Sequence, residues 1–161
     1  MGGWLQPREG EILVNSIPIE KIQESCLRRH VGLLDQEVHL FPMGLGENLR
    51  LARPEAMDKD LWEVLDSVAL GDWARKLPDK LATYLGEYGT GISGGQARRL
   101  CLARLLLMAT PILILDEPFE GVDESTARAV LSMLRRRQSD GILIVISHQH
   151  LRGDFTHCYG L

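Results

Sequence analysis

Two adjacent carboxylates, Asp116 and Glu117, close the run PILILDEP at residues 111–118. Four apolar residues precede them, so the pair reads as the end of a buried strand, at the sheet edge where open α/β proteins bind ligands. One acid there can hold Mg2+, directly or through water, while its neighbour orients or deprotonates a water that attacks a phosphate. Strands more often end in plain solvated acids, and the apolar run and the following Pro118 weaken that reading of the dipeptide without overturning it.

A second chemical signal is GISGGQ, residues 91–96. Glycines leave backbone N–H groups uncovered, and a helix start carries partial positive charge, which together suit a phosphate. Ser93 and Gln96 also have the S-x-x-Q spacing of a capping box, which needs no ligand. GILIVISH, residues 141–148, brings His148 to the same sheet edge as Asp116. A lone histidine at a strand end is more often structural. His148 and His150 lie two apart, with His157 and Cys158 beyond, but none has acidic or cysteine partners at ligand spacing, so a transition-metal site is not expected. Gln36, ending HVGLLDQ, carries no chemistry by itself, and the pairs Arg28-Arg29 and Arg98-Arg99 read as solvated faces.

The elements that must position these groups follow from the apolar pattern. Residues 11–15, 30–35, 111–116 and 141–147 read as strands. The last two are almost continuously Ile, Leu and Val, as expected of strands buried on both faces of a parallel sheet. Between them, residues 123–138 place Ala127, Val130, Leu131 and Leu134 at helical spacing, with Arg135, Arg136 and Arg137 in the last turn. Strand, helix, strand is a βαβ unit with an expected right-handed crossover. Helical patterns dominate from about 41 to 109, including residues 58–70, with Leu61, Leu65 and Val68 on one face beside Trp62, and residues 96–108. The fold class is α/β, a parallel sheet layer interrupted by a helical subdomain. Residues 10–40 and 110–150 supply the sheet layer and 41–109 the insert.

Composition narrows the function classes. The chain has 161 residues, 45% hydrophobic and 25% charged, ordinary values for a globular protein. A net charge of −4 argues against a nucleic-acid partner bound through phosphate neutralisation. Three widely spaced cysteines, without a CxxC pair, fit a reducing compartment rather than a disulfide framework. No apolar run is long enough to cross a bilayer, and MGGWLQPREGE lacks a signal-peptide pattern, so the chain reads as soluble.

The order of these signals is more specific than any one of them. Strand-Gln, helical insert, SGGQ-helix, apolar strand-DE, helix and apolar strand-His resembles the motif order of ATP-binding cassette (ABC) ATPases over residues 10–148. The resemblance implies a P-loop NTPase-like parallel sheet core with an inserted α-helical subdomain. It also implies ATP and Mg2+ as ligands and hydrolysis coupled to transport. By it, Gln36 looks like the Q-loop glutamine near Mg2+ and the attacking water. ISGGQ resembles the signature, with Ile92 for the usual Leu and with Ser93, Gly94, Gly95 and Gln96 facing a partner's ATP. Asp116 is implied as the Mg2+ ligand, Glu117 as the base, Asp123 as the D-loop residue at the dimer contact, and His148 as the switch histidine at the γ-phosphate.

HLFPMGLGENL (39–49), YLGEYGTGISGGQ (84–96), DEPFEGVD and SHQHLRG look most like one subunit of the heterodimeric bacterial cysteine/glutathione exporters of cytochrome bd assembly. The resemblance thus implies a second cassette, as homo- or heterodimer, and transmembrane domains as partners, at the cytoplasmic face of the bacterial inner membrane. DNA-repair and chromosome-structure ATPases of the superfamily carry a long coiled coil between Q-loop and signature. Here Ser93 lies 57 positions after Gln36, without heptads between, which excludes that branch.

Beyond Ile92, the sequence departs from the family at both ends of the pattern. None of the four lysines, Lys21, Lys59, Lys76 and Lys80, lies in a G-x-x-x-x-G-K-[ST] loop, so no Walker A nest for the β- and γ-phosphates is present. Residues 3–10 resemble the segment after the Walker A helix, and the family's last strand is not matched after His148. The expectation is an incomplete cassette, a partial domain spanning 1–161, that does not hydrolyse ATP in cis and exposes apolar surface. The alternative is a non-catalytic remnant that acts at most as a dimerisation or trans-signature module.

Overall fold

The structure, a computed structural model, describes residues 9–86, 91–149, 155–157 and 159. The chain opens with a hairpin, β1 (Leu13–Val14) against β2 (Ile17–Pro18). Asn15 and Ser16 between them both have positive φ, 50° and 64°, the pairing that a tight two-residue hairpin turn requires. This hairpin is a sheet of its own, separate from the parallel strands.

Helix α1 (Glu24–His30) leads directly into β3 (Val31–Leu34). Among the described residues β3, β4 (Ile112–Asp116) and β5 (Ile142–Ile146) form one parallel sheet in that order. Leu34 registers with Leu115, and Asp116 with Ile146, so the three strands end together. Helix α6 (Glu124–Arg137) connects β4 to β5 and buries Ala127, Val130, Leu131 and Leu134.

Between β3 and β4 run α2 (Leu45–Arg50), α3 (Asp58–Ser67), α4 (Gly71–Lys76) and α5 (Gly94–Met108). Helix α5 is the hub. It packs on α2, α3 and β3, and its buried residues Leu100, Leu102, Ala103, Leu106 and Leu107 extend well beyond a single stripe, as a helix enclosed on several sides requires. Ala109 ends it in the left-handed conformation and Pro111 follows, blocking further helix. One continuous core joins these leucines to Leu113, Leu115, Phe119 and the inner face of α6.

The sheet differs from the sequence expectation in its burial. The β4 and β5 strands were expected to be covered on both faces. Instead, burial alternates along both, and Leu33, Ile142, Ile144 and Ile146 are exposed. The reason is the period of two: residues whose side chains meet the core alternate with residues that no described helix covers.

Candidate functional site

Parallel strands that end in register deliver their next residues to one edge. Asp35 and Gln36 follow β3, Asp116 and Glu117 close β4, and Ser147 and His148 follow β5. Glu117 leaves the strand in the left-handed region, φ 45°, unusual for a side chain of its size. Its N–H donates to the Ile146 carbonyl at 2.9 Å, which carries the sheet one residue past the strand. This turn directs the carboxylate toward β5. Oε1 accepts from the backbone N–H of His148 at 2.8 Å, and Oε2 from the Ser147 hydroxyl at 3.2 Å. The imidazole Nε2 of His148 lies 3.8 Å from Oε1, with its side chain fully exposed while that of Glu117 is 15% exposed. Glu117 is thus a carboxylate of fixed orientation beside a solvent-facing imidazole.

The start of α5 bears on both readings of GISGGQ. The capping box forms: Gln96 N–H donates to Ser93 Oγ at 3.2 Å and Ser93 N–H donates to Gln96 Oε1 at 2.9 Å. The two glycines then differ. A Cβ on Gly95 would lie 2.6 Å from the Gly121 carbonyl oxygen, so glycine is needed for the close approach of this helix start to the turn after β4. A Cβ on Gly94 would meet nothing within 4 Å, leaving its backbone open to an approaching molecule. Asp123 begins α6 by accepting from Thr126 N–H at 2.9 Å and the Ser125 hydroxyl at 2.6 Å. These bonds, the hydroxyl's first, hold its carboxyl well below the usual carboxylate range.

The reading of Arg98-Arg99 as a solvated face is overturned. Arg98 is 7% exposed and donates to the Asp35, Gln36 and Asp116 carbonyls and to Glu120. Arg99 donates to the carbonyls of Gly95 and Ala69, tying the start of α5 to the end of α3. Burial lowers the pKa of Arg99, and likewise of Arg104. A signal was present in the sequence: Arg98 shares its helix face with Cys101, Leu102 and Leu105, at i+3, i+4 and i+7.

Arg104 and Asn48 were not singled out from sequence. Arg104 donates to the carbonyls of His39 and Asn48 and to Asn48 Oδ1, and stacks over Phe41 at 5.5 Å. The Asn48 amide, fully buried, bonds Phe41 in both directions. Together they fasten the segment after Gln36 to α5. The Cys101 thiol is pushed up by burial, which suppresses its thiolate and hence its reactivity.

Hard oxygen donors dominate this edge, the donor type that suits Mg2+ shared with substrate phosphates. Among the described residues no three His, Cys, Asp or Glu side chains gather as a protein-only metal site. His150, Cys158, residues 3–8 and the 87–90 part of the approach to GISGGQ lie outside the described residues. Among the described residues no helix is long and apolar enough to cross a membrane.

The family description ABC transporter matches residues 1–120. The chain belongs to the ABC transporter family. It is 40% identical over 148 residues to the glutathione/L-cysteine transport system ATP-binding/permease protein CydC of Escherichia coli (strain K12), covering 91% of this chain and 25% of that protein. It is 35% identical to the corresponding CydD of Bacillus subtilis (strain 168), over 94% of this chain and 26% of that one. A solved bacterial Atm1-family ABC exporter with ATP bound superposes with a TM-score of 0.84 at 30% identity, covering 89% of this chain and 25% of the exporter chain. The α/β architecture with its parallel sheet is therefore that of an ABC ATPase, as a partial domain. This ABC chain spans about a quarter of the length of the curated relatives it matches.

Proposed function

We propose that this chain is part of the ATP-hydrolysing cassette of an ABC exporter for cysteine or glutathione, working at the cytoplasmic face of a bacterial inner membrane. The observation that carries it is the Glu117 carboxylate, oriented by the His148 N–H and the Ser147 hydroxyl at the shared strand edge. In this reading Glu117 accepts a proton from the water attacking the γ-phosphate, and Gln36 holds that water by its side-chain amide. His148, exposed beside Glu117, donates to the γ-phosphate as charge develops there. Asp116 and Gln36 would hold Mg2+, which supplies charge neutralisation on the phosphate oxygens when bound.

Ser93, Gly94, Gly95 and Gln96 face the ATP of a second cassette, homo- or heterodimeric, and Asp123 lies at that dimer contact. Support comes from the open backbone at Gly94. Transmembrane domains complete the transporter. The cysteine/glutathione assignment rests on the names of the CydC and CydD relatives.

Residues 1–161 contain no G-x-x-x-x-G-K-[ST] loop, so these residues alone bind the phosphates too weakly to hydrolyse ATP. The same fact favours the second reading, a trans-signature or dimerisation module without chemistry of its own. A mixing assay tests both. The chain is added to a partner cassette with an intact Walker A loop, and MgATP turnover is followed. Stimulation that disappears with Gly94→Asp supports the trans role, and no stimulation refutes it. Turnover by the chain alone well above a Glu117→Gln control would refute cis inactivity. Labelled cysteine and glutathione uptake into inverted vesicles of the assembled transporter tests the substrate.

A further inference from the structure

We infer that Arg98 is a positioning residue that clasps the glutamine loop to the acid-bearing segment, with Glu120 setting the tension of the clasp. Each terminal nitrogen of its guanidinium holds one acceptor from each side. Nη1 donates to the Asp35 carbonyl at 3.5 Å and to the Asp116 carbonyl at 3.2 Å. Nη2 donates to the Gln36 carbonyl at 2.7 Å and to Glu120 Oε2 at 3.1 Å. The planar fork of arginine makes this two-sided grip, which a lysine ammonium on one flexible stem does not reproduce.

The surroundings make the clasp exacting. Arg98 is buried in the described structure, and its anionic contact there is Glu120, whose side chain is 71% exposed. A desolvated cation must keep its acceptors, so the carbonyls of residues 35, 36 and 116 are held where the fork needs them. Gln36 takes its backbone position from one side of the fork. Glu117 follows Asp116 on the other, and Glu120 lies in the turn that leads to Gly121 and the contact with Gly95. Movement of the glutamine loop is therefore coupled to the segment bearing the acid pair, through one side chain rooted one turn inside α5. This deepens the reading of a hydrolytic site, on which its functional consequence rests.

The test compares Arg98→Met, Arg98→Lys, Glu120→Gln and the Arg98→Met/Glu120→Gln double variant in the full chain, by amide hydrogen exchange without nucleotide. Arg104→Met serves as the control for loosening of residues 39–48. Arg98→Met is expected to speed exchange at least tenfold in both 35–38 and 116–121 while α6 is unchanged. Arg98→Lys restores protection on one side only. Glu120→Gln speeds exchange at 35–38, a segment to which Glu120 makes no hydrogen bond in the described structure, and adds nothing in the Arg98→Met background. As a change at an exposed side chain, it keeps the test decisive even where Arg98→Met does not fold.

Independent responses of the two segments, or a Glu120→Gln effect confined to 116–121, would overturn the clasp. In the assembled transporter, Arg98→Lys lowers kcat about tenfold with KM for MgATP within twofold. An unchanged kcat in an active assembly would overturn the functional consequence. Coupled exchange in a protein whose wild-type assembly has no turnover leaves the clasp standing and refutes the hydrolytic reading instead.

Discussion

Gly95→Ala places a methyl group 2.6 Å from the Gly121 carbonyl oxygen and 3.4 Å from Val122 Cγ2. Carbon and carbonyl oxygen ordinarily approach no closer than about 3.3 Å, so helix and turn must separate by roughly 0.7 Å. The turn resists. Gly121 is left-handed at φ 71°, Val122 N–H donates to the Phe119 carbonyl at 3.0 Å, and the Phe119 ring is fully buried. Overpacking against such a wall costs about 1–3 kcal/mol. At roughly 2–4 °C per kcal/mol for a chain of this size, Tm falls by about 2–12 °C. Gly94→Ala is the internal control, because its Cβ enters open space in a permitted backbone conformation. It should be neutral or stabilising by up to about 1 kcal/mol. Urea and thermal unfolding by circular dichroism measure both variants in parallel. Equal stabilities within about 0.5 kcal/mol, the usual span of surface changes, would refute the argument that the second glycine serves packing and the first stays open.

Asn48→Ala strips the acceptor of Phe41 N–H and a partner of Arg104, and should lower unfolding stability by about 1–3 kcal/mol, with faster exchange at 39–44. Ser93→Ala removes one arm of the capping box and should cost about 1 kcal/mol in urea unfolding, whatever the nucleotide concentration. Asp123 has a depressed folded pKa, so its stabilisation is full above its unfolded value of about 3.9 and is lost as pH falls through the folded value. The stability gap between wild type and Asp123→Ala should therefore hold steady from neutrality to about pH 5 and shrink below about pH 3.9. A gap that widens on acidification contradicts the cap. Ile144→Thr, on the exposed sheet face, should reduce self-association in sedimentation without lowering Tm by the amount a core change would.

What the sequence alone determined was local and periodic. The uninterrupted ILIL and ILIVI runs read as strands, the 3–4 spacing of Ala127, Val130, Leu131 and Leu134 as a buried helical face, and Ser93 to Gln96 as a helix start, and the structure has each of them so. Arg98 was legible in principle, since it falls among Cys101, Leu102 and Leu105, but charge in a basic pair masked its position. Tertiary structure decided the rest. Whether both faces of a strand are covered depends on what packs there, not on its own residues, which is why β5 reads as buried yet exposes Ile142, Ile144 and Ile146. Residues 36, 116 and 148 reach one sheet edge because parallel pairing aligns the ends of strands far apart in the chain, and Arg98 reaches the carbonyls of 36 and 116 from α5. A hydrogen bond such as that from the His148 N–H to Glu117, spanning 31 positions, leaves no periodic trace in the sequence for composition or spacing to reveal.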